Sequence, residues 1–559
     1  MIDISHIMQI GRRGLAAHQR AISVTSHNIA NVNTKGYSRQ EVLFEPTTMP
    51  VGFGTGVQIQ QIRSVVDTFL GGQILSGQSS LGRFNAEAEL LNRVEAVFGD
   101  LNGAGIDKEI QNFFAALNDL SNNPTGSVER AIVLERGKSL SQALVTADGQ
   151  LKAIQQDANS EIESRVGEIN ALSTNIANLN QSIRSSEQIG GAAESDLRDE
   201  RTRLLNELSE KIGIQVIEED SGNLTVITGS GGATVALISG DQAATLSAVL
   251  DPDRPGFSKI VVNGNTDITH SISDGRLRGL IELRDALVPD YRGQLDRLAA
   301  SLVYEFNSQH QQGFGLDGTT ETDFFAPVLV DAVPSRVNQG TAKIEVTVSP
   351  VPEPPDPSDP DYIAPEPNFG SSYELSFLDG NFKLRNLETG EISSPTVEDE
   401  IIFEQERIQI NIKQGSLVNG DRFRISLHQG AAGAMAVQLS DPRQISAASQ
   451  EEDLPGGNDN AILLAQLQSK QVSSLRATFQ GFYAGLMGEI GNRVQTSERN
   501  LSVADAMAGR LDAMREEKSG VSLDEEMTNL ISFQRAYQAS AKLIVTADEL
   551  LQTVIGMKQ

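Results

Sequence analysis

Apolar residues recur at seven-residue spacing near both ends of the chain. Residues 1–45 contain no proline, and Ile4, Met8, Leu15, Ile22 and Ile29 fall on heptad-like positions, with Gly11, His18 and Thr25 between them. This pattern predicts an amphipathic helix that stops at Asn33-Thr34-Lys35-Gly36. At the other end, Ser522 with Glu525 three residues later reads as a capping box. From there a 4-3-4-3 spacing picks out Leu523, Met527, Leu530, Gln534, Tyr537, Ala541, Ile544, Asp548, Leu551 and Ile555. Eight of these ten are apolar, which predicts a helix with a coiled-coil seam. Over 523–556 it would run roughly 50 Å. A stripe of that length must be buried against something, and the other chain end is the natural partner.

Helical periodicity also marks about 127–186, with Leu151, Ala158, Ile162, Ile169, Leu172, Ile176, Leu179 and Ile183 on one stripe. Further helices are predicted at about 195–212, at 280–312 with a break or kink at Pro289, and at 461–518 ending near Gly520. Strand signals lie between them. Ile214–Glu218 and Leu224–Thr228 read as a hairpin joined by 219–223, and Lys259–Asn263 as a further strand. Period-two alternation then governs 326–430, in the runs starting at Lys343, Tyr373, Arg407 and Arg422, with turns at Asp379-Gly380-Asn381 and Asn419-Gly420-Asp421. Residues 350–367 carry eight of the chain's 19 prolines and read as an extended surface loop.

The fold class expected is therefore α+β: a long helical bundle or coiled coil of N- and C-terminal segments, small β hairpins, and an inserted all-β domain. The expected domains are a terminal coiled-coil assembly domain (1–50 and 500–559), a mainly helical core domain (51–325 and 431–499, with a β-hairpin near 214–263), and the β insert (326–430).

Composition narrows the function. The 559 residues include 74 acids and 45 bases, a formal net charge of −29. That balance argues against nucleic acid and against anionic membranes as partners. The charge is uneven: 350–410 holds 14 acids and 3 bases, whereas 1–42 holds five bases and two acids. The acid load therefore sits largely on the insert, as a solvated face. No basic start followed by an apolar stretch marks a cleaved secretory signal, and no apolar run approaches a spanning helix. The expectation is a soluble chain, cytoplasmic or exported without such a signal. With no cysteine, the sequence offers no disulfide, thiolate metal site or cysteine nucleophile.

The six histidines show no i,i+4 pair and no metalloprotease motif. Gly52-Phe53-Gly54-Thr55-Gly56 lacks the rest of a phosphate loop and reads as a turn before a strand at 57–62. Asp356, Asp359 and Asp361 lack the completing residues of a calcium loop and read as linker. No catalytic, cofactor-binding or metal residue is assigned, and no cofactor is expected.

Two strings stand out. Asn28, Asn31, Asn33, Thr34, Gly36, Tyr37, Ser38, Arg39 and Gln40 lie where the first helix ends and an extended segment begins. Asn and Gly suit the left-handed backbone that stops a helix. The second string is Gly520-Val-Ser-Leu-Asp-Glu-Glu-Met527 followed by Gln534-Arg535-Ala536-Tyr537. Its acids favour a helix start, and Tyr537 reads as a seam aromatic. Together the strings resemble the flagellar rod, hook and hook-associated family of axial proteins. Lys35 stands where that family usually has proline. Ser-Arg-Gln after Tyr37, the Ser-Leu-Asp-Glu-Glu lead and the long helical middle are most similar to its hook-associated members.

The resemblance implies a structural, non-enzymatic protein of the extracellular flagellum at the hook–filament junction. It implies a homo-oligomeric ring between the hook protein and a second junction protein. It also implies type III export, with an export chaperone holding the C-terminal helix. The N-terminal motif, and the seam residues Leu523, Met527, Leu530, Gln534, Arg535, Tyr537, Ile544, Leu551 and Ile555, would be the assembly elements. The alternatives are a hook or distal rod subunit and, from another class, a secreted enzyme or adhesin acting through the β insert.

Overall fold

The computed structural model describes residues 4–34, 36–48, 54–99, 105–189, 194–218, 224–231, 234–349, 365–395 and 401–556. The hairpin loop at 219–223, most of the Pro-rich stretch, Asp356, Asp359, Asp361, Lys35, Gly52 and Phe53 lie outside the described residues. The helices, in chain order, are α1 (Ile4–Ala30), α2 (Thr68–Phe98), α3 (Ile106–Asn122), α4 (Ser127–Ile189), α5 (Glu194–Lys211), α6 (Arg276–Glu282), α7 (Val288–His310), α8 (Ala431–Ala434), α9 (Asp459–Gln466), α10 (Phe479–Ser519) and α11 (Leu523–Gly556). With antiparallel sheets between them, the class is α+β.

The chain forms two compact units. The first comprises Met1–Ala88, Asn159–Ile281 and Ser497–Gln559; the second comprises Glu89–Ala158 and Glu282–Thr496. This division runs along different lines from the three spans drawn from the sequence. It falls inside α2, α4 and α10.

In the first unit, α1 leads into an antiparallel ribbon of β1 (Gln40–Thr48) and β2 (Gly54–Ser64). Asp67 then caps α2, its Oδ1 accepting the backbone N–H groups of Phe69 and Leu70, both at 3.1 Å. The hairpin expected near 214–263 is larger than one hairpin. β3 (Ile214–Glu218) and β4 (Leu224–Thr228) pair as predicted and continue through Val235–Ser239 and Gln242–Ala243. A separate three-stranded sheet joins Leu246–Leu250, Ser258–Val262 and Thr266–Asp267. The predicted strand at 259–263 ends one residue early because Asn263 takes a left-handed backbone (φ 48°) in the turn.

In the second unit, the helix expected over 280–312 does not break at Pro289. A π-helical turn over Leu283–Leu287 precedes Pro289, which sits in the first turn of α7. A proline there needs no intrahelical N–H, and the π turn moves the preceding carbonyls away from the ring. The helix expected over 461–518 is in fact two, α9 and α10. Between them Val472 N–H bonds Ala477 O (3.0 Å) and Arg476 is left-handed (φ 54°). Arg297 and Ser301 of α7 bond Ser474, so tertiary partners replace helical ones here. The core is aromatic: Phe113, Phe114, Phe306, Phe324 and Phe325 are buried, with ring centroids 4.7–5.7 Å apart where they meet. Helices α2 and α3 carried no sequence prediction.

The insert forms two antiparallel sheets, as its alternation predicts. One orders Val330–Asp331, Lys343–Val348, Ile408–Gln414 and Ile401–Phe403. The other orders Val333–Pro334, Arg422–Ile425, Tyr373–Leu378, Asn381–Asn386 and Ile392–Ser393. Each buries alternate residues: Ile344, Val346, Ile408 and Ile410 in the first, Tyr373, Leu375, Phe423 and Ile425 in the second.

Candidate functional site

The two chain ends meet in the first unit. Helices α1 and α11 run antiparallel: Gly14 lies against Ser540, and Asn28 lies against Glu526. A methyl group on Gly14 would sit 2.7 Å from Ser540 Oγ, and one on Gly11 would sit 2.6 Å from Ile544 Cγ1. At these positions α11 packs directly on the α1 backbone, mainly through Ser540 and Ile544, which leaves no room there for an α1 side chain. The buried side of α1 is accordingly Gly11, Gly14, Ala17, Ala21, Val24, Thr25 and Asn28. Ile4, Met8, Leu15, Ile22 and Ile29 flank it, half-buried.

The C-terminal seam needs a matching correction. The buried residues of α11 are Glu526, Ser540 and Ala547. Of the predicted seam, Leu530, Ile544 and Leu551 are half-buried beside this line. Leu523, Met527, Tyr537 and Ile555 are exposed at 48%, 48%, 36% and 57%, and Gln534 and Arg535 are exposed too. The close approach selects small side chains, so the inner line takes a different phase from the large apolar residues. Phe533 packs beside the pair with His18 and Phe44 of β1, at centroid distances of 5.6–6.5 Å.

At one end of the pair a polar network replaces apolar packing. The Asn28 side chain, 1% exposed, uses its full hydrogen-bonding capacity. Its Oδ1 accepts from Gln40 N–H (3.0 Å) and Tyr37 O–H (2.8 Å). Its Nδ2 donates to Gln40 O (2.9 Å) and Glu526 Oε2 (3.0 Å). Glu526, 2% exposed, also accepts from Arg39 Nε at 2.9 Å. Arg39 Nη1 reaches Glu525 Oε2 at 2.8 Å. The capping box is therefore only partly realised: Ser522 Oγ meets Glu525 N–H at a long 3.5 Å, while the Glu525 carboxylate turns to Arg39.

Helix α5 holds the same motif from another side. Asp199 Oδ2 accepts Ser38 N–H (3.0 Å), and Asp196 Oδ1 accepts Gln40 Nε2 (3.2 Å). Arg39 N–H bonds Ser519 O at 2.8 Å. Burial raises the Asp199 pKa in spite of the Ser38 bonds. Burial, then the carboxylates of Asp196, Asp199 and Glu526, raises the Tyr37 phenol, which therefore stays protonated and donates.

Residues Asn28, Tyr37, Ser38, Arg39 and Gln40 thus converge. Asn31 and Thr34 finish α1: Asn31 Nδ2 donates to His27 O, and Thr34 Oγ1 donates to Asn31 Oδ1, both at 3.1 Å. Asn33 is exposed. Among the candidate Asn and Gly residues, Gly36 takes the left-handed backbone (φ 92°); Asn28 and Asn31 act through their side chains instead. Asp196 and Asp199 lay in neither string, and Glu526 lay in the second without being assigned a role in assembly. In sequence Glu526 is one of three acids at a helix start, a pattern that favourable dipole interactions already explain. The chemistry of this site is cohesion: donors and acceptors matched between distant segments. Among the described residues, no group of three or more His, Asp or Glu is placed to hold a metal ion. No helix among them is long and apolar enough to cross a membrane.

Comparison with known proteins bears on the whole chain. Residues 91–325 match the family model described as the flagellar hook-associated protein FlgK helical domain. Residues 501–557 match that of the flagellar basal body rod FlgEFG protein C-terminal region, and 8–37 that of the flagella basal body rod protein. Flagellar hook-associated protein 1 of Escherichia coli (strain K12) is 26% identical over 569 residues, covering 99% of this chain and 100% of the relative. The Bacillus subtilis (strain 168) protein of that name is 25% identical, covering 98% and 97%. The flagellar hook junction protein FlgK from Burkholderia pseudomallei shares the fold, with a TM-score of 0.61 at 19% identity over 82% of this chain and 100% of that one.

Proposed function

The chain belongs to the flagellar rod, hook and hook-associated family, and from that membership we propose that it is a structural subunit of the hook–filament junction, required for filament attachment and motility. The observation that carries this reading is likeness along the entire length to hook-associated protein 1, not to one segment of it. Its place is the extracellular flagellum. Its role is mechanical, without catalysis, and its neighbours are hook and filament proteins.

Finer points belong to the same proposal. Subunits form a ring between the hook protein and a second junction protein. The terminal segments, 1–50 and 500–559, are the assembly domain. Leu523, Met527, Tyr537 and Ile555, exposed on α11, give neighbouring subunits an apolar flank to cover. An export chaperone shields that flank before the chain leaves the cell. The insert at 326–430 faces solvent as an acidic decoration. The reading as a hook or distal rod subunit fits the two terminal matches but not the hook-associated match over 91–325.

The test is fractionation of sheared flagella together with a null strain. Recovery at the distal end of hooks, with filaments lost in the null strain, is expected. Recovery along the hook in many copies, or normal filaments in the null strain, would reject the proposal.

A further inference from the structure

The α1–α11 contact is built on a repeat. Gly14, Ala21 and Asn28 are spaced by seven, and so are Glu526, Phe533, Ser540 and Ala547. From the Gly14–Ser540 contact to the Asn28–Glu526 contact, one helix advances fourteen residues while the other retreats fourteen. A pairing with that regularity has near-equivalent alternatives, displaced by one heptad in either direction. Size discriminates poorly where Gly14 meets Ala547 in place of Ser540, since Ala and Ser differ little; the opposite displacement also brings Phe533 against Gly14 and is disfavoured by size as well.

We propose that the buried Asn28–Glu526–Arg39 clasp is the register key of the terminal helix pair. Displacement one way sets Asn28 opposite Phe533, which cannot accept the Nδ2 hydrogen bond that Glu526 takes, while the three bonds to Tyr37 and Gln40 stay with α1. Displacement the other way sets the Glu526 carboxylate opposite the Ala21 methyl, buried and without a cation. Only the observed register gives Asn28 its carboxylate partner and Glu526 both its amide and its guanidinium. A single polar position in an otherwise apolar helix interface is a known means of selecting one register. Arg39 and Gln40 extend the key beyond the helices, because they bring in the segment after α1. A one-heptad displacement keeps the same face of α11 inward, so register decides where along the pair the exposed flank stands, by about 10 Å per heptad. The inference concerns the chain itself and holds wherever in the cell the chain is placed.

Disulfide cross-linking of the full-length protein tests it, and the cysteine-free sequence gives a clean background. A Cβ on Gly14 would lie 3.4 Å from Ser540 Cβ, close to the range of about 3.5–4.5 Å that disulfides adopt. Gly14→Cys with Ser540→Cys therefore reports the observed register. Gly14→Cys with Ala547→Cys, or with Phe533→Cys, reports the two displaced ones. With Glu526 present, the first pair should cross-link in excess of either other pair by roughly a hundredfold. Glu526→Leu should cut that excess at least about tenfold, and Glu526→Gln, which keeps the hydrogen-bonding shape, should restore most of it. An excess unchanged in Glu526→Leu would overturn the proposal. So would loss of all three cross-links together with helical circular dichroism, since the clasp would then stabilise the pair without selecting its register.

Discussion

Helices α7 and α11 show two ways of using a long helix. In α7, 14 of 23 residues are buried, among them Tyr291, Phe306 and His310. In α11, three of 34 are buried, and none of the three is a large apolar residue. One helix is finished by its own chain; the other keeps most of its apolar surface in reserve. Burial of large side chains sets the stability of the second unit, whereas matched polar groups and close backbone contact hold the terminal pair. The two regions are thus held together by different chemistries in different parts of the sequence.

That contrast can be broken at either end. Phe306→Ala removes a ring from the aromatic core and should cost about 3–5 kcal/mol, seen as a lower melting transition of the second unit. Asn28→Ala leaves Tyr37 and Glu526 short of partners and should cost about 3 kcal/mol. Hydrogen exchange should show that loss in α1 and α11, with α7 still protected.

Acid provides a third test. His310 is buried, its Nδ1 facing Thr322 O at 2.7 Å and its Nε2 accepting Ser446 N–H at 3.0 Å. Burial lowers its pKa to about 4 from 6.5. A base depressed in the fold gives stability that is full above pH 6.5 and is lost as pH falls towards 4, by about 2 kcal/mol at pH 5. Asp296 opposes this. Burial raises its pKa to about 6, so its contribution is greatest below pH 3.8 and is lost as pH rises through 6. Denaturation in an Asp296→Asn background should therefore show a steeper acid loss, and NMR should find His310 titrating near 4. The smallest stability effect belongs to the exposed flank. Met527→Asp with Ile531→Asp, the latter residue also exposed on α11 one turn further on, should change folding by no more than about 0.5 kcal/mol. The same pair should abolish filament attachment in a motility assay; unaltered attachment would remove the flank from the assembly surface.

The legibility of these regions in the sequence follows the same division. Strands at 214–218 and 224–228 were readable as β-rich runs about a Gly-containing loop, and those of the insert because a half-buried strand must alternate. The limits of α1 and α11 were readable because Gly36, Ser522 and the run of acids punctuate the chain. The inner line of the terminal pair was not, because Gly, Ala and Ser give little apolar signal and the louder Leu, Met and Ile sit on a neighbouring phase. Glu526 looked like one helix-start acid among three; only its burial beside a residue 498 positions away distinguishes it. The gap between α9 and α10 was hidden for a similar reason, since the bonds that open it come from α7.

The antiparallel pairing of α1 and α11 also has a mechanical meaning. The start of α1 and the end of α11 lie at one end of the pair, and the Asn28–Glu526–Arg39 network closes the other. Tension that pulls the chain ends apart would load the contacts one after another, as a zipper is loaded, and not all at once in shear. The weak small-residue rungs around Gly11 and Gly14 would open first. The charged rung would open last, so a partly opened pair would still be tethered in the register from which it can close.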